Sequence, residues 1–120
     1  MGRPKKNFAD PDRILKVLFK TTQKLKRDCE AELKKLRNDQ SHASYWRSHE
    51  LHGILRRWEW LRIDLDLFAG KQLTPSERKT WQAAILELEE KKLIEVYGIR
   101  ASEIRLTRKG KKAVKELLAR

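Results

Sequence analysis

From residue 11 to residue 38 the chain contains nothing that would stop a helix: no glycine and no second proline. Asp10 stands where a cap belongs, and Pro11 falls at the first helical position, where its missing N–H costs nothing. Leu15, Leu18, Leu25, Cys29 and Leu36 recur near a 3–4 spacing, and Ile14, Val17 and Phe19 widen the stripe at its start. Thr22 and Glu32 interrupt it. Such a helix reaches roughly 42 Å at 1.5 Å per residue, longer than a small domain is wide. Residues 10–40 therefore either pack along a partner as a dimerisation helix or dock on the helices that follow. The remainder of a 120-residue chain is one modest domain.

Charge narrows the partner. The net charge is +12, with +6 on residues 1–40, none on 41–70 and +6 on 71–120. Two basic ends suit a polyanion, because cations that displace condensed counterions gain affinity without sequence preference. A basic surface kept for solubility is the plain alternative. Apolar residues make up 39% and charged residues 38%, so the interior is small. No apolar run is long enough to span a membrane, no signal peptide is present, and Gly2 lacks the downstream Ser/Thr of an acylation site. Cys29 is the single cysteine, which excludes an internal disulfide and fits a reducing cytoplasm. The expected location is cytoplasmic and nucleoid-associated, with no membrane partner.

Residues 1–9 form a basic arm. Gly2-Arg3-Pro4 with Lys5 and Lys6 is similar to the core of an AT-hook, lacking its preceding basic residue, and a generic disordered basic tail is the other reading. After a loop at 40–44, Leu51, Ile54, Trp58, Leu61, Leu65 and Phe68 keep a 3–4 spacing that ends at Gly70. This stretch is one helix, or two if it breaks around residues 60–64. Tyr45 and Trp46 are expected in the core and Trp60, off the stripe, at an interface.

Thr74-Pro75-Ser76-Glu77 then signals another helix start, running to Lys91. Trp81, Ala84, Ile85 and Leu88 face inward. The opposite face presents Arg78, Lys79, Thr80, Gln82 and Ala83 early, and Glu87, Glu89 and Glu90 late. Cations and hydrogen-bonding side chains first, carboxylates last, suit a helix that enters a major groove by its N-terminal half. An ordinary solvated helix would look similar. Two apolar runs, at 93–97 and 104–106, flank a polar tip carrying Arg100, and Thr107 opens a further helix.

His42, His49 and His52 lack the converging carboxylates or cysteine of a metal site, and Asp64 and Asp66 diverge on a helix. With no phosphate loop or nucleophile motif either, neither an enzyme nor a cofactor is expected.

In this order, Leu88-Glu89-Glu90-Lys91-Lys92-Leu93-Ile94 and Leu106-Thr107-Arg108-Lys109-Gly110 resemble phrases of the winged helix-turn-helix regulators, the multiple-antibiotic-resistance (MarR) and PadR-like groups. Lys92 stands where that family has a left-handed glycine, and its middle helix and turn fit only compactly, at 62–69 and 70–73. The resemblance implies a mainly α fold with a small β-hairpin. A winged helix-turn-helix domain over 45–120 would follow the long N-terminal helix. It also implies a DNA-binding transcriptional regulator, with helix 75–91 in the major groove and the wing 93–107 on the minor groove or backbone. Arg78, Lys79, Thr80 and Gln82 would read bases; Arg100, Arg105, Arg108 and Lys109 would serve the wing and backbone, on one side of the molecule; Arg3, Lys5 and Lys6 would add an arm. Partners would be double-stranded DNA and a second copy held through the N-terminal helix; no effector pocket is obvious, although a cleft between that helix and the winged part could exist, and any small-molecule effector is left unknown. The alternative is a winged-helix module that binds protein or RNA and assembles through the long helix.

Overall fold

The computed structural model describes residues 9–98 and 102–120. Arg3, Lys5, Lys6 and Arg100 lie outside them. The chain is mainly helical with a small antiparallel sheet. Its elements are α1 (Pro11–Leu36), α2 (His42–Leu55), β1 (Leu61–Arg62), α3 (Leu65–Ala69), α4 (Pro75–Glu90), β2 (Ile94–Tyr97), β3 (Glu103–Leu106) and α5 (Arg108–Leu118). The strands lie in the order β1-β3-β2.

The long helix is used in two halves. Ile14, Leu15 and Leu18 are buried in the core with Phe68 of α3, Trp81, Ile85 and Leu88 of α4, Ile104 of β3 and Val114 of α5. Of the two placements open to it, α1 docks on its own chain over this half. Thr22 interrupts the apolar stripe without leaving a buried hydroxyl unpaired, since its Oγ1 donates to the carbonyl of Leu18 at 2.7 Å. Beyond it α1 leaves the core and pairs with α2 as a two-helix arm, in a molecule 65 Å long and 24 Å thin. Cys29 and Leu51 are buried in this arm. Glu32, the second interruption, receives two hydrogen bonds from Arg47 of α2, at 2.6 and 2.9 Å. The reversal between the helices is fixed by Asp39, which accepts from the Ser41 amide and the Ser44 hydroxyl at 2.9 and 2.6 Å. Those bonds, that of Ser44 first, hold its carboxyl below the usual aspartate range. Tyr45 and Trp46, expected in the core, are 63% and 57% exposed on α2. α1 covers only one face of α2, and Tyr45, at the groove between the two helices, and Trp46 stay largely outside that cover.

The even spacing from Leu51 to Phe68 makes two helices rather than one, the second of the two readings the sequence left open, with the break at 56–64. α2 stops at Leu55, and Leu61 and Arg62 pair with Ile104 and Glu103 as a third strand. A strand recruited by an edge more than 40 residues away in sequence leaves no local periodic signal. Asp64 then caps α3, accepting from the amide of Leu67 at 3.1 Å. Gly70 ends it in the left-handed region (φ 75°), with the Lys71 amide bonded back to the Asp66 carbonyl at 3.2 Å. Arg13 of α1 clamps that end, its Nε donating to the carbonyl of Phe68 at 2.8 Å.

α4 ends in the same closure. The amides of Leu93 and Lys92 donate to the carbonyls of Leu88 and Glu89 at 3.0 and 2.9 Å, and Lys92 occupies the left-handed position at φ 61°. The apolar members of the motif, Leu88 and Leu93, meet in the core. The turn thus keeps the geometry normally given to glycine, with a lysine bearing its strain.

β2 and β3 pair with Ile94 opposite Leu106 and Val96 opposite Ile104, facing the core, and with Glu95 opposite Arg105, facing outward. α5 closes over the start of this hairpin. The Thr107 amide donates to the Leu93 carbonyl at 3.1 Å, its hydroxyl donates to the Lys92 carbonyl at 2.7 Å, and the same oxygen caps α5 by accepting from the Gly110 amide at 3.0 Å. Gly110 is buried because the helix comes so near: a Cβ there would land on the Leu93 carbonyl oxygen and lie 3.2 Å from Leu106 Cδ2.

Two stability changes follow, both read from urea unfolding. Lys92→Gly raises stability by about 1 kcal/mol by relieving the left-handed backbone. Gly110→Ala lowers it by about 1–3 kcal/mol through overpacking, although alanine favours helices by roughly 1 kcal/mol. An unchanged or higher midpoint for Gly110→Ala would mean that α5 does not need this close approach.

Candidate nucleic-acid interface

The leading end of α4 is built to stay in place while remaining open to solvent. Thr74 and Glu77 form a reciprocal capping box, the Glu77 carboxylate accepting from the Thr74 amide at 3.0 Å and the Thr74 hydroxyl from the Glu77 amide at 3.2 Å. Lys71, in the turn between α3 and α4, adds an ion pair to Glu77 at 2.9 Å. The Thr74 amide first, then Lys71, hold the Glu77 pKa down from 4.5 to about 2.

On this base, α4 carries Lys79, Gln82 and Leu86 along one exposed line, at spacings of three and four. Neither Lys79 nor Gln82 has an ion-pair or side-chain hydrogen-bond partner among the described residues. Arg78 is held instead: its guanidinium bonds both carboxylate oxygens of Asp66 at 3.0 and 3.1 Å. Asp66 also accepts from the Leu73 amide at 3.0 Å, so the pair ties α3, the turn and α4 together. Thr80 is half-buried, with its Oγ1 turned back to the Ser76 carbonyl at 3.5 Å. Glu87, Glu89 and Glu90 lie at the trailing end, Glu87 beside Lys91 at 3.1 Å.

Arg105, Arg108 and Lys109, the described cations expected on the hairpin and beyond, are placed elsewhere. Arg105 lies on the sheet face opposite the one α4 packs against, bonded to Glu95 at 3.0 and 3.2 Å, its guanidinium 4.8 Å from the Trp60 ring. Trp60 in turn meets Tyr97 edge-on at 5.9 Å, so both aromatics brace the outer sheet face. Arg108 is exposed at the start of α5. Lys109 donates from Nζ to the Lys91 carbonyl at 3.3 Å, at the C-terminal end of α4. With α4 16 residues long, about 24 Å at its usual rise, Lys109 and Lys79 stand at opposite ends of the helix. The described members of the expected set thus split into three groups: the α4 stripe, the outer sheet face and the α5 start.

Several exposed or bridging side chains escaped sequence reasoning. Leu86, 57% exposed, falls off the inward stripe of Trp81, Ile85 and Leu88, an irregularity visible in the spacing. Trp58 lies between cations from two helices, Lys26 of α1 at 4.7 Å and Lys111 of α5 at 5.5 Å from its ring, and Lys111 also pairs with Glu59. No local pattern announces such a contact. Grooves open among the described residues. One of about 810 Å³ lies in the arm between α1 and α2, lined by Leu33, Tyr45 and Leu55 among others. Another, about 600 Å³, lies between α4 and the sheet, with Arg62, Arg78, Gln82, Leu86 and Val96 on its walls. Among the described residues no three His, Cys, Asp or Glu side chains converge as metal ligands do, and no helix is long and apolar enough to cross a membrane.

No family model, curated protein or solved structure matches the chain.

The pH dependence of this region follows from Glu77. Its folded pKa is depressed, so its contribution is present above the ordinary value of 4.5 and drains away as pH falls towards about 2. Glu77→Gln, which cannot ionise, therefore melts below the wild type at neutral pH, and the gap closes through that acid window. Melting curves across the acid range check this.

Proposed function

We propose that the protein binds double-stranded DNA as a transcriptional regulator of the winged helix-turn-helix type. α3, the turn and α4 would be the helix-turn-helix, α4 the helix in the major groove, and the β2–β3 hairpin the wing on the minor groove or backbone. The observation that carries this reading is the polarity of α4: a rigidly capped leading end exposing Lys79 and Gln82, which have no side-chain partner among the described residues, with its carboxylates at the trailing end. Lys79 suits a phosphate or guanine and Gln82 a base edge. Arg78 remains available, because an exposed pair such as Arg78–Asp66 is worth only about 0–1 kcal/mol and is readily exchanged for a DNA contact. The net charge of +12 supports a polyanionic partner. In this reading Arg108 meets a neighbouring stretch of backbone, while Arg105 and Lys109 shape the hairpin and its junction with α5.

The homodimer contact falls on the α1–α2 arm, where Tyr45, Trp46 and Ile54 are exposed. That surface also favours a second reading, a module that binds a protein through the arm, since an edge-on Tyr45–Trp46 pair in water (5.4 Å) is a typical anchor for a protein partner.

Salt separates the two readings. Duplex binding should weaken steeply between low and moderate salt, with a preference for particular sequences over random duplex. Lys79→Ala should weaken binding to all sequences alike and reduce the slope of log affinity against log salt by about 1. A salt-insensitive protein complex through the arm, with no duplex preference, would overturn the DNA reading.

A further inference from the structure

Resting on that DNA reading, we propose that α4 selects A·T base pairs: Gln82 bonds an adenine edge and Leu86 packs on the C5-methyl of a nearby thymine. Leu86 is the observation that calls for explanation. It is 57% exposed, whereas Leu88, two residues on, is 2% exposed in the core. It shares the outward line of α4 with Lys79 and Gln82 and opens onto the groove between α4 and the sheet, where Ile63, Val96 and Ile85 supply apolar wall. An apolar contact placed beside a hydrogen-bonding amide matches what an A·T pair offers in the major groove, an acceptor and donor on adenine and a methyl on thymine. A G·C pair has no methyl to meet Leu86.

Spacing and charge agree with this occupant. Four residues of helix advance about 6 Å, so Gln82 and Leu86 reach positions within about two base pairs, which stack 3.4 Å apart. Arg62, exposed on β1, and Arg78 stand on the groove walls as cations for the flanking phosphates. Asp64 and Glu89 also line it, and Glu89, the next outward residue after Leu86, limits base reading to the first three turns of α4.

The test uses the full-length protein. Duplexes are selected from a random pool, and affinity is then measured for the preferred duplex with each thymine in turn replaced by deoxyuridine, which removes the methyl alone. The expected result is one thymine whose methyl is worth about fourfold in affinity, the value of burying one such group. Leu86→Ala should lose a similar factor on the natural duplex and no longer distinguish thymine from deoxyuridine at that position. Gln82→Ala should relax selection at an adenine within two base pairs of it, by about tenfold. Leu86 is exposed, so its variant keeps the fold, and a melting curve verifies that. If the protein selects a sequence but no thymine depends on its methyl, or Leu86→Ala keeps the dependence, this inference falls while the DNA reading stands. If no duplex is preferred over random sequence, the DNA reading falls and takes this one with it.

Discussion

The burial of Ile14, Leu15 and Leu18 under the rest of the chain is the contact on which the structure depends. The first half of α1 touches α3, α4, β3 and α5 at once, joining them in one core. Each fully buried aliphatic side chain contributes about 1.5–3 kcal/mol, so three of them amount to a large part of the roughly 5–15 kcal/mol that keeps a domain folded. Arg13, one residue earlier, carries the same docking into hydrogen bonding by capping α3. The long helix is therefore scaffold at one end and arm at the other, and Thr22 marks the change.

From that scaffold follows the separation of charge. The sheet turns its apolar face to α1 and α4, so every second strand residue must look outward, and Arg105 can only face Glu95 and Trp60. α5 is pinned to the start of β2 by Thr107 and Gly110, which puts Lys109 at the trailing end of α4. The positive charge counted along the tail is thus divided between surfaces. What remains exposed along α4 is a narrow stripe of Lys79, Gln82 and Leu86, with Arg78 beside it in an exposed pair with Asp66.

Stability and exposure are balanced at the same place. The turn before α4 contains a capping box, the Arg78–Asp66 pair and a left-handed glycine, all at the surface. These short-range bonds fix the helix without burying its leading side chains. The arm takes the opposite course, with little buried between α1 and α2 and large aromatics left in water. We read that arm as the place where a second copy docks.

Elements whose causes are local were legible in the residues alone. Asp10-Pro11, Thr74-Pro75 and Thr107 mark helix starts, and the inward stripe of α4 is the one observed, because capping and helical periodicity act over four residues. The left-handed position of Lys92 was suggested only by the resemblance of the phrase around it to one that carries glycine there. Long-range pairing left no such trace. The strand at Leu61–Arg62 exists because β3 offers an edge, and the spacing from Leu51 to Phe68 imitated a helix in its absence. Tyr45 and Trp46 read as core because hydrophobicity says what a side chain prefers, not whether a neighbour arrives to cover it. Sequence marked where α1, α4 and α5 begin; the tertiary structure decided where α2 gives way to a strand and which cations share a face, since both depend on how elements far apart in the chain stack on one another.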